Sequence, residues 1–372
     1  MKIENVEITK SELTPFLDTC QENDLNNKVK ALIKHQLDPE IGFPTLIKNI
    51  DSYKESESST IRIDGLDFRI FFNPTRAKNV KASTFTDHDE NFSCFLCDLL
   101  PGQKGIKYLN DKYMMIVNPG ITIPGDLTIP TINHELQKLE PHFSDMLEFA
   151  EKLTDYSIYF NGPLAGATCP HFHFQAGIRD RLPAEKLINN ILESDSYKNI
   201  SKDFIFKNRN TEIFRLKNFL RSNYCIYSNS KDSVLKFSKN FFQQIKIVDK
   251  KFIQNLPNIP DFGSEIKVFG EHEEEGRFNV MAKYYPETKK YFVVFFPKLF
   301  NRPQSYFEKG TDQITLGFAI KEALGHTLVA TKKDLYRILE NKDILKQAYL
   351  DTNLSNEMDE ELINSLNYYY LI

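Results

Sequence analysis

The chain has no tryptophan, few cysteines, no long apolar run and no marked excess of either charge. Without tryptophan, aromatic packing falls to 30 phenylalanines and 17 tyrosines, which describes the interior and not a function. The five cysteines (Cys20, Cys94, Cys97, Cys169 and Cys225) are odd in number and lack disulfide-framework spacing, so a reducing cytoplasm is the expected setting. No stretch approaches the roughly 20 apolar residues of a membrane span. The leading Met-Lys-Ile-Glu-Asn-Val-Glu has no apolar signal core, and the protein is expected to stay inside the cell, off the membrane. Lys and Arg number 47 against 51 Asp and Glu, and this net charge of −4 argues against a nucleic-acid polymer as partner. Neither a Walker loop nor a dinucleotide fingerprint occurs.

What remains is an ordinary globular composition, 41% hydrophobic and 26% charged. A chain of 372 residues is long enough for about two to three domain equivalents. The pattern is α+β. Residues 1–58 form an N-terminal segment read mainly as helix, broken at Pro39 and Pro44. Within 59–181, strand-like runs stand at 59–72, 113–118, 126–129, 156–162 and 171–178, with an amphipathic helix expected over 136–153. Residues 182–372 form a second α+β half. Its expected helices are 182–192, 231–250, 332–347 and 355–367, and its strands 203–207, 211–217, 223–228, 277–285, 291–296 and 327–330.

The densest signal is Asn161-Gly-Pro-Leu-Ala-Gly-Ala-Thr-Cys-Pro-His-Phe-His-Phe-Gln175. Residues at i, i+2 and i+4 of a strand share a face, so His171, His173 and Gln175 line one surface while Phe172 and Phe174 turn to a core on the other. Gly162, Gly166 and Ala167 let backbone approach a ligand closely, and Thr168 adds a hydroxyl donor. That layout suits an oxyanion such as phosphate. Upstream, Cys94-Phe-Leu-Cys97 has the spacing of half a zinc site, a spacing that redox pairs and buried structural thiols also show.

The motif resembles that of the histidine-triad superfamily, specifically its transferase branch: galactose-1-phosphate uridylyltransferase, diadenosine tetraphosphate phosphorylase and GDP-galactose phosphorylase. The family pattern is close to Asn-x-Gly-x3-Gly-x-Ser-x-Pro-His-x-His-x-Gln; here Gly162 follows Asn161 directly and Thr168 stands for Ser. Over the whole chain the pattern is most similar to a bacterial family akin to diadenosine and GDP-hexose phosphorylases. The resemblance implies an antiparallel histidine-triad-like sheet with flanking helices, in two related halves of which only 59–181 keeps the nucleophile. It also implies a nucleotidyltransferase or phosphorylase that cleaves a nucleotide sugar or dinucleoside polyphosphate at its α-phosphate and delivers NMP to phosphate or a sugar phosphate. His173 would be the nucleophile, its second ring nitrogen donating to the carbonyl of His171, while Gln175 and Thr168 hold phosphate oxygens.

By the same resemblance, Cys94, Cys97, His134 and His171 would form a closed structural zinc site, with Asp126 the alternative to His134. Arg76, with Lys78 as runner-up, would reach the phosphates, since guanidinium grips two oxygens at once. Asn118 occupies the place of a family asparagine near the nucleoside, and Asn161 and Gly166 belong to the binding loop. In the second half Arg302, after a strand and before Pro303, is a further phosphate candidate, and His326 reads first as a structural histidine. A homodimer is also implied. Two rivals stand beside the transferase: a histidine-triad hydrolase, and a non-enzymatic zinc-stabilised nucleotide-binding module.

Overall fold

A computed structural model describes residues 2–76, 94–253 and 275–371. Strands β1 (Glu57–Ile63) and β2 (Leu66–Phe72) form a hairpin, so the run expected at 59–72 is two strands. The break falls at Asp64-Gly65, where φ is +50° and +86°, the pair of left-handed residues that a two-residue hairpin turn requires.

The remaining strands are β3 (Gly105–Tyr108), β4 (Tyr113–Val117), β5 (Leu127–Pro130), β6 (Tyr156–Asn161), β7 (His173–Ile178), β8 (Ser196–Tyr197), β9 (Ile200–Lys207), β10 (Thr211–Lys217), β11 (Tyr224–Ser228), β12 (Phe278–Tyr285), β13 (Lys290–Pro297) and β14 (His326–Val329). Eleven of them make one sheet in the order β3-β4-β5-β7-β6-β12-β13-β11-β10-β9-β8. Every pairing in it is antiparallel. A second sheet of three strands, β1-β2-β14, pairs β14 with β2 in parallel.

The longer helices are α1 (Leu25–Gln36), α2 (Pro44–Lys54), α3 (Phe143–Lys152), α4 (Pro183–Ser194), α5 (Lys231–Ile253), α6 (Lys332–Glu340), α7 (Asp343–Thr352) and α8 (Asn356–Leu371). Two stretches of chain repeat one layout. Strands β3, β4, β5, helix α3, strands β6 and β7 are matched by β9, β10, β11, α5, β12 and β13. Outward from the β6/β12 seam the order is β7, β5, β4, β3 on one side and β13, β11, β10, β9 on the other.

The large sheet is a middle layer. On one face Ile158, Phe160, Phe172, Phe174, Val293 and Phe295 pack against Met146 and Phe149 of α3 and Phe237 and Phe241 of α5. On the other, Tyr159, Met281, Phe292 and Val294 pack with Ile188 of α4, Leu335 of α6 and Phe68 of β2. Phe172 and Phe174 therefore lie in the α3/α5 core, and the period-two alternation leaves His173 and Gln175 on the face toward the smaller sheet.

Helix α3 starts at Phe143, later than the expected 136. Pro141 occupies a 3₁₀ turn, Glu140–His142, at the helix entrance, where a missing N–H does no harm. Residues before it run extended beside the motif: Leu136 bridges His171, the Gln137 amide donates to Pro170 O at 2.9 Å and the Phe172 amide to Glu135 O at 2.7 Å. The helix expected over 332–347 is likewise two, α6 and α7, parted at Asn341. Strand β3, at the edge, carried no alternation to read.

Candidate active site

Cys94 and Cys97 sit on a tight turn in which the Cys97 amide donates to Cys94 O at 2.9 Å, bringing both sulfurs to one side. His134 and His171 meet them. His171 Nδ1 lies 3.5 Å from Cys94 Sγ and 3.3 Å from Cys97 Sγ, and His134 Nδ1 lies 3.2 Å from Cys97 Sγ. One donor atom from each of the four residues falls within 4.8 Å of the others. Tetrahedral zinc with bonds of roughly 2.0–2.3 Å puts its ligands about 3.3–3.8 Å apart, so the set can hold a metal ion. The other ring nitrogen of His171 donates to Thr131 O at 2.7 Å, which fixes its tautomer.

The electrostatics fit a cation as well. A hydrogen bond from the Cys169 thiol, 3.6 Å away, holds Cys94 well below the ordinary thiol range. Burial, together with the neighbouring Cys94 charge, pushes Cys97 up. Two thiolates side by side need a positive charge between them, and a divalent ion would reverse the second shift. Asp126, the alternative ligand, is elsewhere: it is buried against Lys321, which also donates to Thr122 Oγ1 at 2.6 Å.

Two residues beyond His171, His173 turns its Nδ1 to His171 O at 2.8 Å. A carbonyl only accepts, so Nδ1 carries the proton and Nε2 keeps its lone pair. Burial pushes the His173 pKa down to about 4, which leaves the ring neutral near pH 7.

His173 faces a cavity of about 110 Å³, with Arg76, Asn118, Asn161, Gly166, Thr168, Gln175 and Arg302 also in its wall. Room of that size admits a phosphoryl group, whereas pockets that enclose whole drug-sized ligands run to about 300–1,000 Å³. Arg76 is half-buried; desolvation of its guanidinium lowers its pKa against the opposing pull of Glu322 and Asp126, and its Nε has no hydrogen-bond partner among the described residues. Gly120 makes space for it, since a Cβ there would stand 2.1 Å from Arg76 Nη1. The Gly120 amide donates to Asn118 Oδ1 at 2.9 Å. Thr168 is exposed at the cavity, and Gln175 is half-buried between Thr128 of β5 and Tyr159 of β6. Lys78 lies outside the described residues.

The other wall comes from the second half: Arg302, the segment Gly317–Glu322, and Leu328. Asn161 ties the halves together, its Oδ1 accepting from Asn279 Nδ2 and from the Ile320 amide, each at 2.8 Å. Gly166, at φ +100°, packs so closely on Ala319 that an added Cβ would meet its Cβ at 2.8 Å. His326 is not part of the cavity wall; it is buried with its ring 5.2 Å from that of Phe71.

Sequence reading missed Lys321, Thr122, Gln137, Asn279 and Cys169. Cys169 stood inside the motif, two residues from the implied ligand His171 and rich in sulfur chemistry, and could have been found there. The others carry no local signal.

A family model described as Domain of unknown function (DUF4922) matches residues 32–178. No curated protein matches the chain by sequence. Among solved structures, yeast Ap4A phosphorylase Apa2 is similar at TM-score 0.54 with 11% identity, covering 84% of this chain and 96% of that one. Its complex with AMP is similar at TM-score 0.50 with 14% identity, over 83% and 96%. The fold is therefore like that of the yeast Ap4A phosphorylase. A uridylyltransferase structure is also similar, at TM-score 0.29 with 13% identity over 66% of this chain and 77% of that one. The α+β architecture and the antiparallel eleven-stranded sheet are as the motif resemblance implied. Among the described residues no helix is long and apolar enough to cross a membrane.

Proposed function

We propose that the protein is a nucleotidyltransferase or phosphorylase acting on a nucleotide sugar or dinucleoside polyphosphate, through an NMP–His173 intermediate. The observation that carries this is the His173 ring: its Nδ1 is committed to His171 O at 2.8 Å, and the residue borders a phosphate-sized cavity walled by Arg76, Arg302, Lys321, Thr168 and Gln175. The yeast protein of like fold has been crystallised with AMP and with Ap4A, which supports this substrate class.

In the first step the lone pair of Nε2 attacks the α-phosphorus. The bond from phosphorus to the bridging oxygen breaks, and the leaving polyphosphate or sugar phosphate takes that electron pair. Negative charge gathering on the equatorial oxygens meets Arg76, the Gln175 amide and the Thr168 hydroxyl. In the second step an oxygen of phosphate or of a sugar phosphate attacks the same phosphorus, and the P–N electrons return to Nε2. Gln175 can neither give nor take a proton, so a charged acceptor that needs no base is preferred to water.

Cys94, Cys97, His134 and His171 would hold zinc in a structural role. Such an ion would lock the turn of Cys94 and Cys97 onto the strand that presents His173. The second half, 182–372, is taken as a degenerate counterpart of 59–181, with 1–58 an N-terminal helical segment.

Incubation with a panel of α-³²P-labelled dinucleoside polyphosphates and nucleotide sugars, with and without added phosphate, tests the reading. Base-stable, acid-labile protein label and phosphate-dependent product formation are expected. Free NMP at the same rate without phosphate would favour the hydrolase, and bound but unreacted nucleotide the binding module.

A further inference from the structure

We propose that Gln137 is a positioning residue for His173, its side-chain amide standing in for one rung of main-chain pairing between β6 and β7. The proposal deepens the nucleotidyl-transfer reading and rests on it. The β6–β7 register runs Tyr156↔Ile178, Ser157↔Gly177, Ile158↔Ala176 and Tyr159↔Gln175 and stops there. Two residues further it would set Asn161 opposite His173. Just before β7 the amide and carbonyl of Phe172 turn the other way, to Glu135 O and the Thr131 amide, so those of His173 turn toward β6.

At that point the two strands do not pair with each other. The His173 amide donates to Gln137 Oε1 at 2.7 Å, and Gln137 Nε2 donates to His173 O at 3.1 Å and to Asn161 O at 3.0 Å. Gln137 is fully buried, and its amide makes three hydrogen bonds, all to the backbone of these two residues. A buried glutamine with satisfied bonds is ordinary where it closes a turn. Here it parts two strands whose pairing ends two residues earlier, at Tyr159↔Gln175, at the place where one bears the nucleophile and the other the loop asparagine. A direct rung would draw the His173 and Asn161 backbones together. The inserted amide keeps them apart by its own width, and the cavity opens between them.

The same segment also reaches the metal-ligand cluster. Gln137 follows His134 by three residues, and Leu136 between them bridges His171. His173 is thus fixed from two sides, by the His171 carbonyl on its ring and by Gln137 on its backbone.

The test uses the full chain with its metal, and three proteins: native, Gln137→Met, which keeps length but loses every polar atom, and Gln137→Glu, which keeps an acceptor for the His173 amide. The readouts are metal content, AMP affinity by calorimetry, and the single-turnover rate of label transfer from saturating α-³²P-labelled Ap4A. Gln137→Met should slow transfer at least tenfold with metal content and AMP affinity within twofold of native, and Gln137→Glu should recover part of the rate. A folded Gln137→Met that transfers at the native rate overturns the proposal; so does a parallel loss of AMP affinity and rate, which would mark Gln137 as merely structural. Should Gln137→Met fail to fold, a native rate in Gln137→Glu overturns it equally. Should the native protein take no label, the nucleotidyl-transfer reading fails, and crystal structures decide on Gln137 separately. Direct pairing of Asn161 with His173 in Gln137→Met supports the wedge, and an unchanged gap refutes it.

Discussion

Strands β7 and β13 hold equivalent places on either side of the central seam, one outward from β6 and the other from β12. On β7 and the two residues leading into it, the apolar Phe172 and Phe174 alternate with His171, His173 and Gln175. On β13 the run Tyr291-Phe-Val-Val-Phe-Phe296 is buried throughout. The framework is served by either, so it is the face away from α3 and α5 that differs. In the first half that face carries imidazoles, an amide and a cavity; in the second it is closed with Phe292, Val294 and Phe296. The second half contributes instead through its connections, Arg302 and the segment Gly317–Glu322, which close the cavity from outside. Chemistry here is a property of a few side chains on one strand and of loops from both halves, not of the layout they share.

Paired substitutions across the seam can break this contrast. The largest effect is expected for His173→Ala: loss of label transfer by about 10⁴-fold or more, with the melting temperature little changed, because the nucleophile itself is gone. His171→Ala should come next. It should release the metal, measured by atomic emission, and cost several kcal/mol of stability in urea titration, because the remaining thiols are left crowded without a cation. Unchanged metal content would exclude His171 as a ligand. Phe295→Ala on β13 removes a ring 4.3 Å from that of Phe241 and should cost about 3–5 kcal/mol, while the folded fraction still transfers label at the native rate. A loss of rate there would mean that the second half is not merely structural at β13. Gln175→Ala should slow transfer by roughly a hundredfold, the usual cost of one donor to a developing oxyanion, with metal content intact.

The smallest effect is one of pH. Burial lowers the pKa of His142 to about 4, of His173 to about 4 and of His326 to about 3. In the unfolded chain these imidazoles titrate near 6.5, so they take up protons there first as pH falls. The stability held above pH 6.5 should therefore decline between about 6.5 and 4, by on the order of a few kcal/mol in sum, seen as a lower urea midpoint at pH 4.5 than at pH 7. Double substitution of His142 and His326 by Gln should flatten that decline. If it does not, other groups dominate the acid limb.

Much of this contrast was legible in the residues. Period two in 171–175 is a local property of the strand, so it placed Phe172 and Phe174 in the core and His173 and Gln175 opposite them without knowledge of any partner. The motif resemblance named four ligand candidates that the fold brings within 4.8 Å. What could not be read depends on distant chain. Gln137 sat inside a stretch with helical periodicity, and only the competing pairing of Leu136 with His171 makes it extended. Lys321 and Asn279 gain meaning from Asp126 and Asn161, well over a hundred residues away in the chain. Edge strand β3, with no alternation and one face half-exposed, had nothing local to announce it.

The most direct measurement is intact-protein mass spectrometry after brief exposure to Ap4A and an alkaline quench, followed by peptide mapping. A mass increase of one nucleoside monophosphate, located on His173, lost on acid treatment and discharged by added phosphate, is the predicted result. An unmodified protein that nonetheless turns over substrate, or an adduct on any other residue, would contradict the account.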